Sequence, residues 1–493
     1  MVTIHMSRHI LYLLAFCTNA LVLVFEITGG RLLAPYVGTS VGVWAGLIAV
    51  VLGGMALGYH WGGRMADIDA SPRRIGLIVL AAGIAALIAW SLRDLVPTIV
   101  TATRLEPTMD ALLVGAILFM PAVVLLASVS PFLAKNLLST LNTSGHVVGE
   151  LNAVGTAGAI VGAIGTGMYL IPTYSVDLIL LGVAMALFLL SIIILKGNLA
   201  RLGVSIVLAA ALALYFNTLP TRADGWLMER STAYNRIVVT MEDGPTRAVW
   251  TSPFGIQCQM YVKEDGSVDL SRLVESYQRA HDLVVTEFFP EGPNRGLFLG
   301  GCIAAFPRYL LTRFPTMDTT VVEIDPGMTE VAEELFDFDP STVHMVHADA
   351  RVFVNEAHEP YDLVYMDAFG SSGRVPFHLV TEEMFARLAT HVSEDGILIM
   401  NTHGSYEGSG LLYPAVFLKT ARTAFAHVEL YQFTNNPAVA QNLVIVASHS
   451  RELPDTFVGK ELTLRRVEAP ENVQTVTDSY APVEGIAREG LVD

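Results

Sequence analysis

The sequence predicts a multi-span α-helical membrane domain followed by an α/β Rossmann-like domain that opens with a small antiparallel β-sheet. Three observations carry that expectation. Residues 1–220 hold 10 Lys and Arg against 8 Asp and Glu, whereas residues 221–493 hold 20 against 39, so the formal charge of -17 sits in the second half. Apolar stretches long enough to cross a bilayer recur through the first half and stop near Asn217. Between Leu297 and Asp367, short apolar strands alternate with helical segments and end in turn on Gly-Gly, Glu, Asp and Asp.

A helix of roughly 17 to 25 apolar residues spans the hydrocarbon core. Stretches of this kind lie at 10–29, 41–61, 75–92, 111–132, 149–171, 176–195 and 202–217, the last with a short apolar core that also suits an interfacial helix. The first is not framed as a cleaved signal peptide, because no charged leader and small-residue cleavage site surround it. Lys and Arg favour cytoplasmic loops. Arg8, Arg64, Arg73, Arg74, Lys135, Lys196 and Arg201 fall on the side of the N-terminus, and Arg31, Arg93, Arg104 and Arg222 fall opposite. The count places the N-terminus in the cytoplasm, and seven crossings would then put the second half outside. An adenosine ligand is ordinarily supplied in the cytoplasm, and the expectation adopted is a multi-pass cell-membrane protein with a cytoplasmic second domain.

Within the spans, Glu26 stands in LVLVFEITGGRLLAPYVG with Arg31 five residues on. An ionisable group at that depth is costly unless paired or functional, so either a structural pair with Arg31 or a substrate path accounts for it. The glycine-rich runs GGMALGYHWGG (53–63) and GTAGAIVGAIGTG (155–167) suit close helix packing. His60, at the end of the second span, reads as interfacial.

After a linker, ERSTAYNRIVVTMEDGPTRAVWTSPFGIQCQMYV alternates apolar and polar residues with turn signals at Asp243-Gly244 and Ser252-Pro253, the pattern of a small antiparallel sheet. The expected division is 1–217 membrane, 218–260 β cap, 261–450 α/β and 451–493 a loosely ordered tail. In the α/β part, Leu297-Phe298-Leu299 runs into Gly300-Gly301, where a ligand can approach the backbone and a following helix offers its N-terminus. The strand Thr319 to Ile324 carries Glu323, placed to accept from ribose hydroxyls. A third segment ends at Asp349, suited to an adenine amino group or, alternatively, to capping a helix. A fourth, Tyr361 to Met366, delivers Asp367 to the carboxyl edge of the sheet, where such sheets bind ligands. Together these spacings predict a nucleoside crevice.

Several classes drop out. No glycine-lysine-serine loop follows a strand, which argues against a phosphate-cradling NTPase. Cys17, Cys258 and Cys302 show neither metal spacing nor a disulfide framework, and the histidines form no HExxH pair, so no metal is expected. The acidic second half suits a small cationic substrate and opposes nucleic acid binding.

The run from Glu229 to Val380 resembles the spermidine synthase family of aminopropyltransferases, and FEITGGRLLAPYVGTSVGVWAG with GYHWGGRMAD resembles its membrane-fused bacterial members. The resemblance implies a class I methyltransferase-type fold and transfer of an aminopropyl group from decarboxylated S-adenosylmethionine to an amine. Tyr234-Asn235 is similar to the family's Tyr-Gln, and Gln257 to the cofactor-touching glutamine of Leu-Asp-Gly-x-x-Gln. Gly300-Gly301 matches the start of Gly-Gly-Gly-Asp-Gly, with Arg308 after it; Glu323 matches the ribose glutamate and Asp349-Ala350 the adenine pair. Asp367 matches the first aspartate of Asp-Ser-Ser-Asp-Pro and is the implied general base. Tyr234 and Tyr277 are the implied substrate-side residues, and a homodimer is implied by the soluble members. Three family carboxylates are replaced, by Pro253, Ile303 and Gly370. Glu264, Asp265 and Glu275 are the candidates to compensate. Two alternatives stand: with those carboxylates gone, an S-adenosylmethionine-dependent methyltransferase acting on a membrane-accessible substrate, and, on Glu26 and the number of spans, a non-enzymatic polyamine carrier or sensor.

Overall fold

The computed structural model describes residues 6–38, 40–103, 105–138, 144–195, 225–252, 255–369, 375–434, 436–437 and 439–481. The seventh apolar stretch at 202–217, Pro253, Gly370 and the last twelve residues lie outside the described residues. The chain divides into two compact units, Met1–Ala223 with Ser231–Ala233, and Asp224–Arg230 with Tyr234–Asp493.

The first unit is helical: α1 (Arg8–Val37), α2 (Val41–Ile68), α3 (Pro72–Leu92), α4 (Val96–Thr103), α5 (Pro107–Leu118), α6 (Met120–Leu137), α7 (Ser144–Gly165) and α8 (Val176–Ile194). Ser40 and Ser175 start α2 and α8 by accepting from the backbone N–H groups of Val43 and Leu178. Among the described residues, six helical stretches, Arg8–Val37, Val41–Ile68, Pro72–Thr103, Met120–Leu137, Ser144–Thr173 and Val176–Ile194, are long and apolar enough to cross a membrane. They answer the first six stretches of the sequence. The fourth differs in that α5 and α6 meet at Phe119, where Pro121 at the start of α6 offers no N–H to continue one helix into the next.

The glycine-rich runs serve packing. A Cβ on Gly58 or Gly62 of α2 would strike the α6 backbone at Val124 and Ser128, and one on Gly158 or Gly162 of α7 would strike the α1 backbone at Phe16 and Ala20. Small residues at these positions let the paired backbones approach closely. No ion pair joins Glu26 to Arg31 among the described residues; Arg31 donates instead to the carbonyl of Thr232, at 3.0 Å, which groups with this unit.

The second unit begins with a four-stranded antiparallel sheet in the order β1 (Trp226–Ser231), β2 (Arg236–Met241), β3 (Thr246–Ser252), β4 (Gly255–Tyr261). A nine-stranded sheet follows, built from β5 (Arg295–Leu299), β6 (Asp318–Glu323), β7 (His344–His347), β8 (Tyr361–Met366), β9 (Val392–Gly404), β10 (His427–Gln432), β11 (Gln441–Ser448), β12 (Thr456–Val458) and β13 (Thr463–Arg466). Its order is β12-β13-β10-β11-β9-β8-β5-β6-β7, parallel from β9 to β7 and antiparallel beyond β9. The helices between them are α9 (Ser276–Phe288), α10 (Ala305–Arg313), α11 (Pro326–Leu335), α12 (Ala350–Asn355), α13 (Glu382–His391) and α14 (Leu412–Ala421).

The central parallel strands β5, β6 and β8 are buried on both faces because helices cover both. Leu297 and Leu299 of β5 pack with Phe353, Leu388 and Phe417, while Phe298 between them packs with Val284, Phe306 and Leu310. Two expectations need correction here. Residues 451–481 are not a loose tail: β12 and β13 extend the sheet, Val467 and Val476 are buried in its core, and Arg351 pairs with Asp478 at 2.6 Å. Their polar sequence hid a short edge hairpin. Nor are the cysteines of the second unit free, since Cys258 on β4 is bonded to Cys302 after β5; 44 residues separate them, so no local spacing announces the bridge.

Candidate functional site

Strands β5, β6 and β7 run outward in one direction, and the chain then returns to lay β8 on the other side of β5. That reversal falls at the carboxyl ends of β5 and β8, the place where open α/β sheets take ligands. Gly300 leaves β5 with φ of +95°, and a Cβ there would strike the carbonyl of Asp367. Both the positive φ and the absent side chain are therefore required. Asp367 follows β8, its N–H donating to Leu299 O at 2.9 Å.

Glu323, at the end of β6, is nearly buried and holds the glycine loop. Its Oε2 accepts from the N–H groups of Gly301 at 3.0 Å and Cys302 at 2.9 Å, and its Oε1 from Asp325 N at 2.9 Å. Burial raises its pKa above the usual carboxylate value, and those backbone bonds oppose the rise. A carboxylate offers about four lone-pair sites, so the three bonds leave acceptor capacity for one more donor.

Asp349 realises the capping alternative left open by the sequence. Its Oδ1 accepts from Arg351 N at 2.8 Å and Val352 N at 3.4 Å, starting α12, and its Oδ2 faces His378 Nε2 at 3.3 Å. The bond from His378 is the main reason its carboxyl sits below the ordinary value, ahead of the two backbone bonds. Ala350 is buried behind it.

Asp367 has the richest surroundings. Oδ1 accepts from Asn401 Nδ2 at 2.8 Å, and Oδ2 accepts from Tyr365 Oη at 2.9 Å and Tyr277 Oη at 3.2 Å. The register explains the first contact, because Met366 pairs with Met400 across β8 and β9 and the next residue on each strand is Asp367 and Asn401. Tyr277 and His281 stand one turn apart on α9, and His281 Nδ1 lies 3.1 Å from Tyr365 Oη. With that hydroxyl donating to Asp367, the imidazole Nδ1–H donates to the hydroxyl oxygen. Burial pushes His281 down to about 3, so it stays neutral. Burial also raises the Asp367 pKa, while the bonds from Asn401, Tyr365 and Tyr277 pull it back. A carboxylate held so by three donors has, when ionised, the chemistry of a proton acceptor.

Of the other residues expected here, Gln257 lies on β4 with its Oε1 accepting from Thr251 Oγ1 at 3.1 Å. Tyr234, between β1 and β2, is 46% exposed, and Arg308 is turned away to donate to the carbonyls of Phe336 at 2.8 Å and Asp337 at 2.9 Å. Sequence reading missed Asn401, Tyr365, His281 and His378. Asn401 alone left a trace, as the first polar residue after the apolar run from Ile397 to Met400.

No protein-family profile matches the chain. A probable polyamine aminopropyl transferase of Bifidobacterium longum is 26% identical over 227 residues, covering 41% of this chain and 50% of that protein. A polyamine aminopropyltransferase of Vibrio vulnificus is 33% identical over 136 residues, 26% of this chain and 45% of the other. The chain thus matches about half the length of these two. Polyamine aminopropyltransferase 1 of Streptomyces coelicolor is 24% identical over 456 residues, 85% of this chain and 79% of that one. The chain resembles the polyamine aminopropyltransferases. The likeness to the Streptomyces protein runs through both units, since 456 matched residues cannot fit in the second alone.

Proposed function

We propose that this chain is a membrane-bound aminopropyltransferase that moves an aminopropyl group from decarboxylated S-adenosylmethionine to a small amine. The observation that carries the reading is the position of Asp367, fixed by three donors at the strand reversal beside Gly300. Similarity to polyamine aminopropyltransferases supports it. In this reading Glu323 receives the ribose hydroxyls, Asp349 and Ala350 meet the adenine, and Gln257 closes the crevice from the β cap. Tyr277, and Tyr234 from its exposed turn, line the amine side.

The amine nitrogen attacks the aminopropyl carbon bound to sulfur. The new C–N bond forms as the C–S bond breaks, and the bonding pair returns to sulfur to leave a neutral thioether, 5′-methylthioadenosine. The proton shed by the nitrogen passes to Asp367. Alignment of nitrogen, carbon and sulfur contributes as much as the base, because the sulfonium is already a good leaving group.

The six apolar helices support attachment to a bilayer. The loop charges, the seven apolar stretches and the Cys258–Cys302 bridge weigh toward a non-cytoplasmic second unit, whereas supply of the sulfonium co-substrate, which the reaction requires, supports the cytoplasmic placement retained in this reading. Incubation of the full chain in detergent with decarboxylated S-adenosylmethionine and 1,4-diaminobutane tests the reaction. Mass analysis should find an acceptor heavier by one aminopropyl group. A methylated acceptor with S-adenosylmethionine, or transport of amine without modification, would replace this reading.

A further inference from the structure

Aminopropyl transfer makes no use of Cys258 and Cys302, yet their bridge ends inside the glycine loop. Cys302 directly follows Gly300-Gly301, and its N–H is one of the two that Glu323 Oε2 accepts, at 2.9 Å. Its partner lies on β4 of the cap, one residue after Gln257. The bridge is therefore a covalent tie between the cap and the loop that Glu323 holds.

That loop needs holding. Cys302 and Ala304 take φ of +43° and +53°, a left-handed conformation that residues other than glycine rarely adopt. Such a backbone persists only where its surroundings over-determine it. Two restraints act on Cys302 itself, the Glu323 bond to its N–H and the bridge from its Sγ. Cys258, Ile303, Ala304 and Met328 share an apolar cluster with the cap strands, but apolar contact has no direction. Without the bridge, Cys302 can return to an ordinary φ and carry its N–H away from Glu323.

With the second unit placed in the cytoplasm, the bridge gains a further meaning, because disulfides of cytoplasmic proteins are usually transient, catalytic or redox-sensing. Cys258 is 3% exposed while Cys302 keeps part of its surface open, so an incoming thiolate approaches from the Cys302 side. We infer that the Cys258–Cys302 bridge is a dithiol-responsive switch on the nucleoside site. Oxidised, it locks the glycine loop for binding; reduced, it releases the loop and lowers affinity. In the exchange, one thiolate of a dithiol reductant attacks the Cys302 sulfur, and Cys258 leaves as a thiolate that takes up a proton. The second thiolate of the reductant then attacks its own sulfur in the mixed disulfide and expels Cys302. The reductant ends as a disulfide, and two electrons and two protons pass to the protein. The inference rests on the nucleoside half of the aminopropyl-transfer reading and is indifferent to the acceptor.

The full chain in detergent is titrated with 5′-methylthioadenosine by calorimetry, once oxidised and once after dithiothreitol. Alkylation with mass analysis should find Cys17 alone free before reduction and all the cysteines free after it. Reduction should weaken binding roughly tenfold or more, the effect of losing one hydrogen bond to a charged group. Hydrogen exchange should quicken at the amides of Gly301 and Cys302. Coupling is reciprocal, so saturating nucleoside should lower the midpoint potential of the bridge by about 30 mV, the equivalent of tenfold for two electrons. Cys258→Ala should bind as weakly as the reduced parent and ignore dithiothreitol. Nucleoside affinity unchanged by reduction, with the thiols shown to be free, overturns the inference. If neither state binds the nucleoside, the nucleoside reading itself falls, and loop amides equally protected in both states would then overturn the clamp as well.

Discussion

Replacing Glu323 with Gln tests the link between the glycine loop and nucleoside binding. The carboxylate accepts three backbone N–H bonds, two on Oε2 and one on Oε1. Glutamine keeps one oxygen. Its least disruptive rotamer faces that oxygen to Gly301 and Cys302 and turns the NH2 toward the Asp325 N–H, so donor meets donor. The lost bond costs about 1.5–3 kcal/mol, and the two that remain weaken from charge-assisted to neutral, about 1 kcal/mol each. Relief of carboxylate burial, visible in the raised pKa of Glu323, offsets part of this. A net of ~2 kcal/mol corresponds to roughly 30-fold. Calorimetric titration of the detergent-solubilised chain with 5′-methylthioadenosine should show that weakening, and hydrogen exchange should quicken at the amides of Gly301, Cys302 and Asp325. Affinity within threefold of the parent, with those amides equally protected, would refute the reasoning that Glu323 builds the crevice by holding its loop.

Asp367→Asn should lower kcat by about 10²–10⁴-fold while 5′-methylthioadenosine still binds. In the parent the rate should fall as pH drops through the Asp367 pKa, which burial holds above the ordinary aspartate value, and this acid limb should vanish in the variant. Because the folded value is the higher one, ionising Asp367 costs stability as pH rises through it, so the variant's thermal transition should gain on the parent's toward neutral pH. Gly300→Ala combines a φ of +95° with a clash at the Asp367 carbonyl, and should cost at least ~1–3 kcal/mol in stability together with most activity; normal melting and turnover would count against the crevice geometry. Cys258→Ser removes a bridge across 44 residues, for which chain entropy gives about 4 kcal/mol, so its second unit should melt earlier and the parent should respond to reductant while the variant does not.

Local chemistry made part of this protein legible. Six helices long and apolar enough to cross a membrane, among the described residues, were visible as apolar length, because a helix hides its backbone within itself and needs no partner to be recognised. Gly300, Glu323 and Asp367 were visible because each stands at the end of a short apolar strand, and Asp349 because it follows the next strand in the same order, positions that the chain itself fixes. The cap of Asp349 was foreseen only as an alternative, since the same carboxylate serves either use until its neighbour His378 is placed. Asn401, Tyr365 and His281 escaped because their meaning comes from β8–β9 register and from the packing of α9, which are relations between distant segments. The Cys258–Cys302 bridge and the edge hairpin at 456–466 escaped for the same reason. Sequence by itself thus determined the two materials, the nucleotide-type order of strands and the carboxylates offered at their ends. The tertiary structure alone decided which donors hold each carboxylate, because hydrogen bonds and burial are set by approach in space rather than by order along the chain.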